Sequence, residues 1–302
     1  MNPLDAALLA AAQEEVLDEV LFGIPYNSAS PLHERFGTRA APPCFGTSGA
    51  RQAFAAGRMV AGRTGVAAEY PVDGRHVAAV YRGPDGVVVL DPYLLHSEPL
   101  RLDRSAAVAG AVRVSVDAYP YRVRADGTPA PSRVLATWTL DDDAVRLDYL
   151  RFSPRRGHDV VFRSFTVRPE PRPATVPPPA DRVRPFLIHP ERHSVSVRVL
   201  HPASRQMAAL VLPLATRPAG VAADRALLIT RDNQGTVATH GQARFQRDAE
   251  VVADAVRAQR DDVIAFLLEA AAIHRAAIHR AAIHRAAAPA GPDLAPYPLE
   301  DE

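Results

Sequence analysis

HVAAVYRGPDGVVVLDPYLL, residues 76–95, carries two short apolar runs joined by Gly83-Pro84-Asp85-Gly86. β-branched and aromatic residues bounded by Gly and Pro read as strands, and this four-residue join reads as a turn. The stretch is therefore an antiparallel hairpin that begins at His76 and ends at Asp91. The two residues lie nearly symmetrically about the turn, so folding the hairpin brings them side by side. An Asp beside a His fixes the ring's tautomer and steadies the imidazolium. A helix-like run, ARQAFAAGRMVA, precedes the hairpin and is expected to break near Gly62. Ahead of it stands Cys44, the one cysteine, after Pro42-Pro43. A thiol that opens a helix is acidified by free N–H groups and the helix dipole.

Outward from the hairpin, residues 4–21 space Leu4, Leu8, Leu9, Val16, Val20 and Leu21 as one face of an amphipathic helix, stopped by Gly23 and Pro25. Residues 26–43 read as loop, and 66–72 as a further strand. From 110 to 170, AVRVSVDAY, SRVLATWTL, AVRLDYLRF and DVVFRSFTV are short β runs with turn signals between them, which predicts a small sheet or barrel. Residues 168–185 hold seven prolines and read as a stiff linker or surface excursion. Strands are expected again at 194–200, 207–214 and 225–232, then one long helix or two over 248–285. The tail, residues 286–302, rich in Ala and Pro, is expected to be disordered.

Composition narrows the function. The 302 residues carry 35 basic and 34 acidic groups, a net charge of +1. Every basic residue is Arg, so Schiff-base chemistry, a lysine-anchored pyridoxal cofactor and a P-loop are excluded. The balanced charge argues against a nucleic-acid partner. One cysteine forms neither an internal disulfide nor a cysteine zinc cluster. Five acidic residues among 1–22 argue against a signal peptide, and no long uncharged apolar run exists to span a membrane. A bacterial cytoplasmic protein is expected.

Cys44, His76 and Asp91 together suit nucleophilic catalysis: a His beside a Cys takes the thiol proton, and the Asp orients the His. The order and spacing resemble the papain-like and transglutaminase-like superfamily, and within it the arylamine N-acetyltransferase family. FGIPYNSAS (22–30) resembles that family's Pro-Phe-Glu-Asn segment. VVVLDPYLLHSEPLRL (87–102) resembles its Asp strand and following Pro-Leu. RALLITRDNQGTVATHGQARFQRDAEVVADAV (225–256) resembles its third-domain hairpin and terminal helix. The family's Arg-Gly-Gly-x-Cys approach is replaced by Arg39-Ala-Ala-Pro-Pro-Cys44.

The resemblance spans residues 4–270 and implies an α+β fold. A helical subdomain (1–75) would bear the Cys, an antiparallel β-barrel (76–185) the His and Asp, and an α/β lid with a C-terminal helix would cover 186–270. Beyond the resemblance, 271–302 reads as a repeat-bearing helical extension and a disordered tail. The resemblance also implies a Cys-His-Asp acyltransferase moving an acyl group from a thioester to an amine, with no bound cofactor. Acyl-CoA or a carrier-bound thioester would be the cosubstrate, a small amine the acceptor and an acyl carrier protein a partner. A transglutaminase-like hydrolase uses the same three residues, and a catalytically inactive binding protein is the third reading.

Other residues draw attention for their chemistry. His96 and Tyr93 follow Asp91 closely; surface and packing roles are expected for them. Trp138 alternates as a core strand residue, and Arg155-Arg156-Gly157-His158 reads as a solvated turn. AAIHR occurs three times, at 271–275, 276–280 and 281–285. A five-residue step turns a helix by about 140°, so His274, His279 and His284 splay rather than converge on a metal. His189 and His193 have helical metal spacing, but Pro190 opposes a helix there.

Overall fold

The structure, a computed structural model, describes residues 3–38, 40–74, 76–170, 187–189, 192–214 and 225–286. The expected linker from 171 and the tail from 287 lie outside the described residues. In chain order the elements begin with α1 (Pro3–Gly23), β1 (Tyr26–Asn27), α2 (Ser30–Phe36) and α3 (Gly49–Thr64). Nine strands follow: β2 (Val72–Asp73), β3 (His76–Val77), β4 (Ala79–Arg82), β5 (Gly86–Leu90), β6 (Leu100–Asp103), β7 (Ala111–Val123), β8 (Pro129–Thr139), β9 (Ala144–Ser153) and β10 (His158–Val167). Then come β11 (Ser194–Leu200), β12 (Met207–Pro213), β13 (Ile229–Arg231), β14 (Val237–Thr239), α4 (Ala243–Ala255) and α5 (Arg260–Ala286). Helices and antiparallel sheets occur together, an α+β fold.

The chain divides into two compact units, and each draws on two stretches of sequence. Residues up to Ile24 join those from Gly49 through the β2–β10 region; Pro25–Ser48 joins the described residues from 187 onward. In the first unit, Val16 and Val20 of α1, one turn apart, are buried against Phe54 and Val60 of α3 and Val77, Ala79 and Leu90 of the hairpin. Burying a side chain of this size contributes about 1.5–3 kcal/mol. β4 pairs β5 with Ala79 opposite Leu90 and Arg82 opposite Val87, and Gly83 and Gly86 exchange backbone bonds at 2.9 and 3.4 Å across the turn.

A four-stranded sheet in the order β10-β9-β8-β7 completes this unit. Strand alternation sends Val112, Val134, Val145, Leu147, Tyr149 and Trp138 to its buried face. The expected closed barrel is absent among the described residues. β7 and β10 are the edges of this sheet and do not pair with one another. The expected strand at 66–72 is also reduced, to a bridge between Glu69 and Val80 and the two-residue β2.

In the second unit the sheet order is β1-β11-β12-β13-β14. Val195, Val197 and Val199 of β11 and Ala208, Leu210 and Leu212 of β12 present one face to Phe245 and Val252 of α4 and Ile264 and Leu267 of α5. α2, expected as loop, packs against α5 and buries Leu32 and His33. α3 runs through Gly62 to Thr64 without the expected break. The 248–285 region is two helices, parted where Arg257 adopts φ 52°.

Candidate active site

The expected hairpin from His76 to Asp91 pairs only as far as Ala79 and Leu90; His76 pairs with Asp73 of β2 instead, yet the two side chains still meet. Asp91 follows the last paired residue of β5, and His76 opens β3, three residues before the first pair of the β4–β5 ladder, Ala79–Leu90. Both side chains are buried, and His76 Nε2 stands 2.7 Å from Asp91 Oδ2. A carboxylate accepts, so Nε2 carries the proton and Nδ1 of the neutral ring is left with its lone pair. Among the described residues Nδ1 has no hydrogen-bond partner.

The ring is also held on its faces. Phe165 stacks on it with centroids 3.7 Å apart and planes at 12°. Tyr93 tilts against it at 5.6 Å, and the Arg163 guanidinium lies 4.7 Å over the Tyr93 ring. Phe165 reaches His76 because Thr166 N–H donates to Asp73 Oδ2 at 2.8 Å, while Asp73 pairs with His76 in the β2–β3 ladder. Tyr93 in turn is packed by the start of α3, where a Cβ on Gly49 would come within 2.9 Å of its ring.

His96, expected at the surface, is fully buried behind Asp91. Its Nε2 accepts the Asp91 backbone N–H at 2.8 Å, and its Nδ1–H donates to the Glu98 carbonyl at 2.6 Å. Burial holds its pKa below the ordinary histidine value, so the ring is neutral.

Cys44 belongs to the second unit and is exposed. It does not open a helix as expected: it is the middle residue of the 3₁₀ turn Pro43–Phe45, and α3 begins only at Gly49. Proline at the start favours such a tight turn, and Gly46, at φ 82°, ends it. The turn is fastened from both sides. Asn27 Nδ2 donates to the Phe45 carbonyl at 2.9 Å, and its Oδ1 accepts from Ala29 and Ser30 N–H. Ser30 Oγ donates to the Gly46 carbonyl at 2.9 Å, and Thr47 N–H to the Pro25 carbonyl at 2.9 Å. Beneath, Phe45 meets Phe266 edge-on at 5.0 Å, and Phe266 stacks on His33 at 4.1 Å. The Cys44 backbone N–H has no partner among the described residues.

The structure thus brings His76 and Asp91 together and sets Cys44 on a rigid turn. Phe165, Asn27 and Ser30 escaped sequence reasoning. Pro31 after Ser30 was an available signal, since proline favours a first helical turn. The Phe165 contact had no local signal, because it depends on β10 meeting β2.

Trp138 is core, its Nε1–H donating to Asp143 Oδ1 at 2.6 Å. Arg155-Arg156-Gly157-His158 is an exposed turn between β9 and β10. His189 is buried and His193 exposed, and neither is helical. Along α5 His274 is buried and His279 exposed, as a 140° step requires; the His284 side chain lies outside the described residues. No three His, Cys, Asp or Glu side chains gather to hold a metal ion among the described residues. No helix among them is long and apolar enough to cross a membrane. No protein family matches the chain, and neither the curated proteins nor the solved structures hold a significant match to it.

Proposed function

We propose that this chain is a thiol N-acyltransferase resembling the arylamine N-acetyltransferases, with Cys44 as nucleophile, His76 as base and Asp91 as the group that orients His76. The observation that carries the reading is the buried His76–Asp91 bond of 2.7 Å, which leaves Nδ1 basic and unpaired. A buried carboxylate bonded to one ring nitrogen prepares the other to take a proton. Cys44 gives up its proton to Nδ1, and its sulfur attacks the carbonyl carbon of an acyl thioester. The carbon–sulfur bond to the donor breaks, and the departing thiolate recovers the proton from His76. An amine then attacks the thioacyl-enzyme, passes its proton to His76, and the Cys44 sulfur leaves. The unpaired Cys44 N–H suits the developing oxyanion. Acyl-CoA or a chain on an acyl carrier protein is the donor class, and a small amine the acceptor. No bound cofactor is needed. An exposed reactive thiol fits the reducing cytoplasm.

The test is the pH profile of Cys44 alkylation by iodoacetamide in wild type and His76→Ala. With one cysteine in the chain, the signal belongs to one group. An ordinary thiol ionises near about pH 8.5, so wild type is expected to react fast well below that and His76→Ala to react only near it. Turnover of acyl thioesters with and without an amine then separates transfer from hydrolysis. A slow rate that rises only near pH 8–9 in both proteins would sink the triad and leave a binding role.

A further inference from the structure

We propose that His96 is a positioning residue for the Asp91 carboxylate, acting through the Asp91 backbone N–H; the inference rests on the reading of His76 and Asp91 as a working pair. Asp91 has one side-chain bond of its own, which Oδ2 accepts from His76 Nε2–H; its Oδ1 is buried with no hydrogen-bond partner among the described residues. The aim of the carboxylate is therefore set by the backbone that carries it.

That backbone lies where the ladder stops. Leu90 is the last residue of β5 to pair, so the Asp91 N–H has no strand carbonyl to meet. The chain turns through Pro92–Leu94, and Leu95 at φ 60° sends it back. This return sets His96 under Asp91, with Nε2 2.8 Å from the Asp91 nitrogen. The ring cannot drift, because its other nitrogen donates to the Glu98 carbonyl, and β7 holds the segment through Tyr119 N–H to Leu95 and Ser97 N–H to Asp117. A neutral ring that donates at Nδ1 must accept at Nε2, which is what an unpaired N–H needs. No other side chain bonds Asp91 among the described residues.

His96→Leu removes the acceptor and keeps the bulk; His96→Gln restores an acceptor at similar reach. The readouts are the low-field imidazole N–H resonance, assigned to His76 by its loss in His76→Gln, and the rate of Cys44 alkylation at pH 6. We expect His96→Leu to broaden or lose the resonance and to slow alkylation by about tenfold, the lower end of what removing the hydrogen-bond partner behind a metal-ligating side chain costs. His96→Gln should recover both. An unchanged resonance and rate in His96→Leu would overturn the proposal, as would losses that His96→Gln does not repair. If His96→Leu fails to fold, His96→Asn, one bond too short to reach, takes its place. Should wild-type Cys44 react as an ordinary thiol, the acyltransferase reading fails, and the resonance alone still decides the role of His96.

Discussion

At the scale of the residue, Gly46 sets the Cys44 turn. Its φ of 82° is open to glycine, and a Cβ there would sit 1.9 Å from the Pro25 carbonyl oxygen. Backbone cannot yield as a flexible side chain does. Gly46→Ala is expected to cost at least about 2 kcal/mol, combining left-handed strain with overpacking, read as a lower urea midpoint. The same variant should slow Cys44 alkylation at pH 6 more than at pH 9. The residues of the proposed triad could be singled out at this scale because each declares a chemistry by its type: one thiol, and a His and Asp on either side of a turn, which the structure brings to 2.7 Å. The surroundings were not. His96 looks like one more polar residue after a strand; only the end of the β5 ladder gives its nitrogen a task. Phe165 reads as an ordinary strand aromatic until β10 is laid beside β2.

At the scale of the element, α5 carries a buried histidine whose cost grows with acid. His274 lies close to Arg192, and its Nε2 has no partner among the described residues. Burial, then the Arg192 charge, pushes its pKa down to about 4 against 6.5 for an exposed ring. The folded state therefore binds fewer protons than the unfolded chain between those values. Stability is unaffected above about pH 6.5 and falls as pH drops from there toward 4, by roughly 3 kcal/mol in all. Urea unfolding of His274→Leu should show a flatter dependence on pH across that window, and a parent slope that persists unchanged would refute the assignment. Elements with strong period were legible: the β4–β5 hairpin and β11 fall where alternation puts them, and α1 falls where expected, although Leu4 and Leu8 of its expected apolar face are exposed and only its second half is buried. α2 was missed because seven residues give too few turns for a pattern. The open β7–β10 sheet was read as sheet or barrel because closure depends on which strands pair, and alternation is the same in either.

At the scale of the whole molecule, two cores are built from an interleaved chain. Leu32 and Phe45 complete the core of Val197, Leu210 and Phe245, although they are flanked in sequence by α1 and α3, which belong to the other unit. A fragment ending at residue 177 would strip Ala29, Leu32 and Phe45 of every partner beyond that point. It is expected to bind a hydrophobic dye strongly, and its Cys44 to alkylate as an unassisted thiol. No local signal marks such an interleaving, since the crossings at residues 24–25 and 48–49 resemble any other loop. It has a consequence in time. His33 and Phe266, which stack beneath the Cys44 turn, are 233 residues apart. At about 5–20 residues per second, a ribosome takes some tens of seconds to travel from one to the other. Cys44 emerges early and waits for a footing translated late, so a product cut short by a broken message carries the thiol without the scaffold that holds its turn in place.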